Sequence, residues 1–168
     1  MTTQDNIYKW TMYGLALVLT ALVDSLLLVR LTILGVHPTL LPVAAACVGV
    51  LEGQAGGAGF GLACGVLAVF GVWGETPLFL FALSLAGFLS GTVSAFLLRR
   101  GFLSALLCAA GTLLAVDLFR VGWFHFHLGA AYSDLFRVAG AEILVSLLFA
   151  PLVYRLFFLV FRWAGRFR

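Results

Sequence analysis

Charge is what this sequence lacks most. Only 10% of its 168 residues are charged, whereas a soluble domain carries about 25% to keep its surface in water. Ten lysines and arginines with seven aspartates and glutamates cannot cover a globule of this size. With 63% apolar residues and a mean hydropathy of +1.13, most of the surface has lipid as its solvent. A soluble globular domain is excluded, and the chain reads as an integral membrane protein.

Other scarcities exclude particular chemistries. The one lysine is Lys9, so no glycine run can form a P-loop, which needs a lysine to neutralise phosphates. The three cysteines, Cys47, Cys64 and Cys108, lie in apolar segments without CxxC spacing and read as small buried hydrophobes. No HExxH, paired carboxylates or nucleophile–base constellation occurs. The expectation is a non-enzyme without cofactor or metal. Nor is there a linker or low-complexity tail, so residues 1–168 read as a single transmembrane domain. The run from Met12 to Leu34 is too long for a signal-peptide core and reads as a first span.

What is present is a series of apolar segments. About 20 residues cross the ~30 Å hydrocarbon layer as a helix, and candidates fall at 11–34, 38–52, 56–73, 77–98, 102–120 and 138–161. The second is short, bounded by Pro38 and Glu52, and reads as a thin span or half of a buried re-entrant hairpin. The expected fold is all-α, a compact bundle of about six transmembrane helices. Lys9, Arg99, Arg100, Arg162, Arg166 and Arg168 then share one face, which the positive-inside rule makes cytoplasmic, with both termini there. Trp10, Trp73, Trp123 and Trp163 fall near predicted ends, as interfacial anchors do. Pro38 and Pro77 sit at first-turn positions. The arginines near the C-terminus, interleaved with aromatics, read as an interface anchor rather than a nucleic-acid patch.

The stretch "EGQAGGAGFGLACG" (52–65) carries the strongest pattern. Gly53, Gly57, Gly61 and Gly65 recur every fourth residue, with Ala45 and Gly49 upstream in the same register. On a helix such residues share one face, and a bare face lets two backbones touch, which matters where no hydrophobic force drives helices together. Gly87, Gly91 and Ala95 repeat the device in the fourth segment. Spacing alone leaves open whether these stripes pack the chain's own bundle or a partner. A turn is expected around Gly53 and Gly56, which would break the first stripe.

Polar residues inside the apolar segments form the remaining candidates. Asp24 lies mid-way along the first segment, where an ionised carboxylate costs ~2.5–3.5 kcal/mol on insertion scales. It should face the bundle or a partner, in a structural or a functional role. Arg30 is off its face and should snorkel toward the headgroups near His37. A proton relay would need more carboxylates at that depth, for which Glu142 is the one candidate. Asp117 with Arg120, and Asp134 with Arg137, read as solvated interfacial pairs three residues apart. His125 and His127 stand two apart in an expected loop over 121–137. Without a third ligand nearby, they read as part of an aromatic interfacial surface rather than a zinc site.

The proline-led "HPTLLP", the glycine-rich "GVLEGQAGGAGFGLACGVLAVFG" and the small-residue-rich "PLFLFALSLAGFLSG" together resemble the MreD family of bacterial rod shape-determining membrane proteins. The resemblance covers nearly the whole chain. The aspartate that family members carry soon after the stripe has no counterpart in "GVLAVFG", so no residue is carried over there. What it implies is a non-enzymatic scaffold of cell-wall elongation in the bacterial cytoplasmic membrane. Its partner would be the bitopic protein MreC, and through it the MreB filament, the glycosyltransferase RodA and its transpeptidase. The helix-packing or partner-binding residues would be Gly57, Gly61, Gly65, Gly87, Gly91 and Asp24. The fold is also similar to the substrate-binding S components of energy-coupling factor vitamin transporters, and such a component is the alternative function. Its polar pocket would have to come from a thin outer-side set: Glu75, His37, His125, His127, Tyr132 and Asp134.

Overall fold

"LPVAAACVGVLE" has no polar face to offer water, and the helix it forms is buried all round. In the computed structural model this is α2, Leu41–Glu52, with every residue from Leu41 to Leu51 buried. The structure describes residues 3–26, 39–70, 77–96, 101–128 and 132–166, and side chains over 7–26, 39–70, 77–96, 101–122 and 139–163. Around α2 stand α1 (Thr3–Leu26), α3 (Gln54–Phe70), α4 (Leu78–Phe96), α5 (Phe102–Leu128) and α6 (Tyr132–Arg166). Among the described residues every element is helical.

Pro42 occupies the first turn of α2, where its missing N–H removes no helical bond. At 12 residues α2 is only about 18 Å long, short of the ~30 Å hydrocarbon layer. Because other helices enclose it, its length is not dictated by lipid.

One residue separates α2 from α3. Gly53 has φ of 89°, a left-handed value that glycine adopts without a Cβ clash. There the chain reverses. A Cβ on Gly57 would lie 2.6 Å from the Cα of Gly49, although eight residues of straight helix would separate these positions by about 12 Å. The stripe read as one face in sequence is therefore split between two helices that meet.

The bare faces close on α4. A Cβ on Gly49 would lie 2.5 Å from the Gly87 carbonyl oxygen, and one on Gly57 would overlap the same oxygen. Further along, Gly61 abuts the backbone of Leu83, and a Cβ on Gly65 would lie 2.6 Å from the Leu80 Cα. At the opposite end a Cβ on Gly91 would lie 2.6 Å from the backbone of Gly53 and of Gln54. Rising numbers on α3 meet falling numbers on α4, so the two are antiparallel. Ser84 Oγ donates to the Ala58 carbonyl at 3.1 Å across the same seam.

The outer helices show one inward stripe each. In α1 it is Tyr13, Ala16, Leu17, Thr20 and Asp24, while Leu15, Leu19, Leu22 and Leu26 are exposed. In α6 it is Glu142, Val145, Ser146, Ala150, Val153 and Phe157. Tyr13, Phe60 and Phe157 meet ring to ring at 5.4–6.3 Å, which ties α1, α3 and α6 together. Leucines and phenylalanines cover the exterior, among them Leu62, Phe81, Leu85, Leu103, Leu148 and Leu159. Leu78–Phe96, Phe102–Gly122 and Ala139–Trp163 are each long and apolar enough to cross a membrane; α2 and α3 are apolar but shorter.

Two expectations change. The loop expected over 121–137 is mostly helix, since α5 runs to Leu128 and α6 begins at Tyr132. Apolar and aromatic side chains let α5 continue where charge and histidine suggested a break. On that helix His125 and His127 are about 200° apart, so they do not share a side as they would in an extended loop. Their side chains, with those of Trp123, Tyr132, Asp134, Arg137 and Arg166, lie outside the described ones. Arg30, His37, Pro38, Trp73, Glu75, Arg99, Arg100 and Arg168 lie outside the described residues.

The seam predicts a sharp contrast between neighbours. Gly61→Ala pushes a methyl into the Leu83 backbone and should destabilise by about 1–3 kcal/mol or more. Gly59, with nothing within 4 Å of its would-be Cβ, should tolerate alanine, with a gain of up to ~1 kcal/mol from helix propensity. Thermal unfolding of the two purified variants in detergent checks the difference; equal melting temperatures would be the wrong result.

Candidate functional site

Where α1, α5 and α6 converge on the segment leading into α2, the apolar core gives way to carboxylates. Asp24 stands on the inward stripe of α1 at 0% exposure, Asp117 on α5 at 5%, and Glu142 on α6 at 9%. The chain entering α2 is held by them. The Leu40 N–H donates to Asp24 Oδ1 at 3.3 Å, Thr39 Oγ1 donates to Glu142 Oε1 at 3.1 Å, and the Thr39 N–H donates to Ser146 Oγ at 3.0 Å. These are backbone and hydroxyl groups ahead of the first helical turn, where helical partners are absent.

One cation reaches this cluster among the described side chains. Arg120 Nη1 donates to Glu142 Oε1 and Oε2 at 3.1 and 3.4 Å, and lies 4.0 Å from Asp117 Oδ1. Its guanidinium stands over the Phe79 ring of α4, 5.5 Å from the centroid, a contact that favours a cation in a partly dry site. The pairing of Asp117 with Arg120 as a solvated interfacial pair is thereby corrected. Asp117 is buried, and the guanidinium has its closer contact with Glu142, because α6 packs on α5 at this level.

Two acceptors in the cluster are left over. Among the described residues, Asp24 Oδ2 and Asp117 Oδ2 are buried without a hydrogen-bond partner. Asp24, Thr39, Phe79 and Arg120 line a cavity of about 10 Å³, at the lower limit for one water molecule. Among the described residues no three histidines, cysteines, aspartates or glutamates are grouped to hold a metal ion. Chemically, the arrangement is a set of proton acceptors around one fixed cation.

A second polar contact sits at the other end of α2. Glu52, its last residue, accepts from Lys9 Nζ through Oε2 and from the Tyr13 hydroxyl through Oε1 at 2.9 Å. A carboxylate at a helix C-terminus opposes the helix dipole, and the lysine offsets it. Polar side chains of α1 thus fasten both ends of the buried helix.

Of the residues singled out in sequence, Asp24 belongs to the cluster, whereas Gly57, Gly61, Gly65, Gly87 and Gly91 lie in the α3–α4 seam. Sequence reasoning missed Thr39 and Ser146, and it did not join Asp117, Arg120 and Glu142. A signal existed: Asp24 continues the Tyr13–Leu17–Thr20 stripe, and Glu142 and Ser146 share one face at i, i+4.

Compared with known proteins, the chain matches no protein-family model, no curated protein and no solved structure.

The ion pair generates a testable asymmetry. Glu142→Gln leaves the Arg120 charge without its closest partner. Removing one member of a buried pair costs ~3–5 kcal/mol, and the partial exposure of Arg120, 23%, places the expected loss at or below that range. Arg120→Met added to Glu142→Gln should recover a large part of it. Thermal unfolding of the single and double variants decides; a double variant worse than the sum of the two singles would contradict the pairing.

Proposed function

We propose that the chain is a non-enzymatic scaffold of the MreD type, a six-crossing bundle in the bacterial cytoplasmic membrane with both termini in the cytoplasm. It binds MreC, and through MreC the MreB filament and the peptidoglycan synthases RodA and its transpeptidase. The buried α2 supports six crossings, since a span enclosed by other helices need not match the thickness of the hydrocarbon layer. The placement of Lys9 in the first half of α1 and of Arg162 in the last turns of α6, near the level where Tyr13 meets Phe157, supports the orientation.

A groove between α4 and α5, of about 260 Å³, carries the scaffold reading. Ala86, Leu89 and Val93 line one wall and Leu107, Gly111 and Ala115 the other. Gly111 has nothing within 4 Å of its would-be Cβ, so the wall is open there. The groove's hydroxyls are already engaged: Ser90 Oγ with the Ala86 carbonyl at 2.8 Å, and Thr112 Oγ1 with the Cys108 carbonyl at 2.8 Å. An apolar channel walled by small residues suits a single transmembrane helix, which packs by close approach. A vitamin-binding S component needs convergent polar groups, and those in this groove are spent on the backbone. This is why the scaffold is preferred to the transporter component.

Co-purification tests the reading. Solubilised wild-type chain should carry MreC, and Gly111→Leu with Ala115→Leu should reduce the yield of MreC at least tenfold, since these side chains fill the groove without entering the core. The melting temperature of the variant should stay within a few degrees of wild type. MreC binding unaffected by a filled groove, or strong thermal stabilisation of the wild type by a vitamin, would reverse the assignment.

A further inference from the structure

The carboxylate cluster holds more negative charge than its described surroundings neutralise. Glu142 and Arg120 form one neutral pair, 3.1 Å apart and further satisfied by Thr39. That leaves Asp24, whose Oδ1 has only a backbone N–H at 3.3 Å, and Asp117, whose Oδ1 is 4.0 Å from a guanidinium nearer to Glu142. Both have an unpartnered second oxygen, with the residues 0% and 5% exposed. The other elements packed here bring no further charge among the described side chains: α3 contributes Ala68, α4 Phe79, and the start of α2 Leu41 and Pro42. Among the described residues neither aspartate has a full counter-charge of its own, and buried carboxylates in apolar surroundings take one up.

The size of the site selects that counter-charge. The cavity beside Asp24 is about 10 Å³, room for one water at most. A hydrated cation does not fit, and the carboxylates are not grouped for metal coordination. We infer that Asp24, which lines this cavity with Arg120, and Asp117, on the other contact of the same guanidinium, are intramembrane proton-binding groups, each carboxylate taking up one proton and becoming a neutral carboxylic acid while Glu142 remains the partner of Arg120. Nothing is oxidised or reduced, and the protons come from and return to water. Asp24 also anchors the Leu40 N–H, so proton loss there places a bare charge against the junction of α1 with the segment entering α2. The site lies at the end of α2 away from Glu52, and it does not depend on which protein the bundle binds.

Infrared spectroscopy of the full-length chain in lipid vesicles tests this. At neutral pH the spectrum should contain the carbonyl band of protonated carboxylic acid, equally in sodium and in choline buffer. Asp24→Asn and Asp117→Asn should each remove about half of that band, and the double variant should remove it. Both are isosteric and neutral, so they should fold. Should either fail to fold, wild-type protein carrying carbon-13 at the aspartate carboxyl should shift the band, and glutamate label should not. No protonated band at neutral pH, a band unmoved by the double substitution or by aspartate label, or a band abolished by sodium would each overturn the inference.

Discussion

Three backbones meet with nothing between them where Gly49, Gly57 and Gly87 converge, and the rest of the bundle is arranged around that contact. In water such a junction would sacrifice side-chain burial. In hydrocarbon it is one of the few sources of attraction, because lipid tails are as apolar as leucine and close approach supplies dispersion and dipole contacts that larger residues would prevent. The reversal at Gly53 makes the contact possible, since it folds α3 back along α2 in one residue. With α2, α3 and α4 joined in this way, α2 becomes the axis on which α1, α5 and α6 lean.

A helix buried on every side cannot be positioned by a polar–apolar boundary, and here its ends are pinned by polar side chains instead. Glu52 meets Lys9 and Tyr13 at one end, while Asp24, Thr39, Glu142 and Ser146 hold the other. Each pin costs desolvation, which its hydrogen bonds and ion pairs offset. Together they fix the register of α1 and α6 against α2, which the uniformly small side chains Ala44, Ala45 and Ala46 cannot do alone. The concentration of carboxylates at the second pin is what turns a structural device into a site with protons to bind.

The character of the chain was legible in sequence because composition and periodicity are local. Scarce charge pointed to helices apolar enough to cross a membrane, of which three are found, and the four-residue glycine spacing pointed to backbones that touch. Starts and ends of α3 and α4 lie close to the segments read at 56–73 and 77–98. What could not be read is what depends on reversal and long-range meeting. Gly49 and Gly57 share a sequence face, yet they meet as opposing surfaces because of one dihedral angle. Asp24, Asp117 and Glu142 are separated by 93 and 25 residues of chain, and only the packing of α1, α5 and α6 brings them to one depth. Arg120 illustrates the limit well: its nearest acid in sequence, Asp117, is at 4.0 Å, while Glu142, 22 residues on, is at 3.1 Å.

The claim on which all of this rests is that the glycine seam is an internal contact between α3 and α4. It is tested most directly by cross-linking in intact membranes. In a background with Cys47, Cys64 and Cys108 replaced by alanine, Ala58→Cys and Ser84→Cys place two thiols across the seam, where Ser84 Oγ now reaches the Ala58 carbonyl at 3.1 Å. A disulfide needs Cα atoms within about 7 Å, which a seam closed at this level brings within reach. Mild oxidation should join the pair within one chain, leaving a monomer that is resistant to thiol-specific labelling until reduced. A covalent dimer, or two thiols that stay free under oxidation, would show that the seam faces another molecule or does not form.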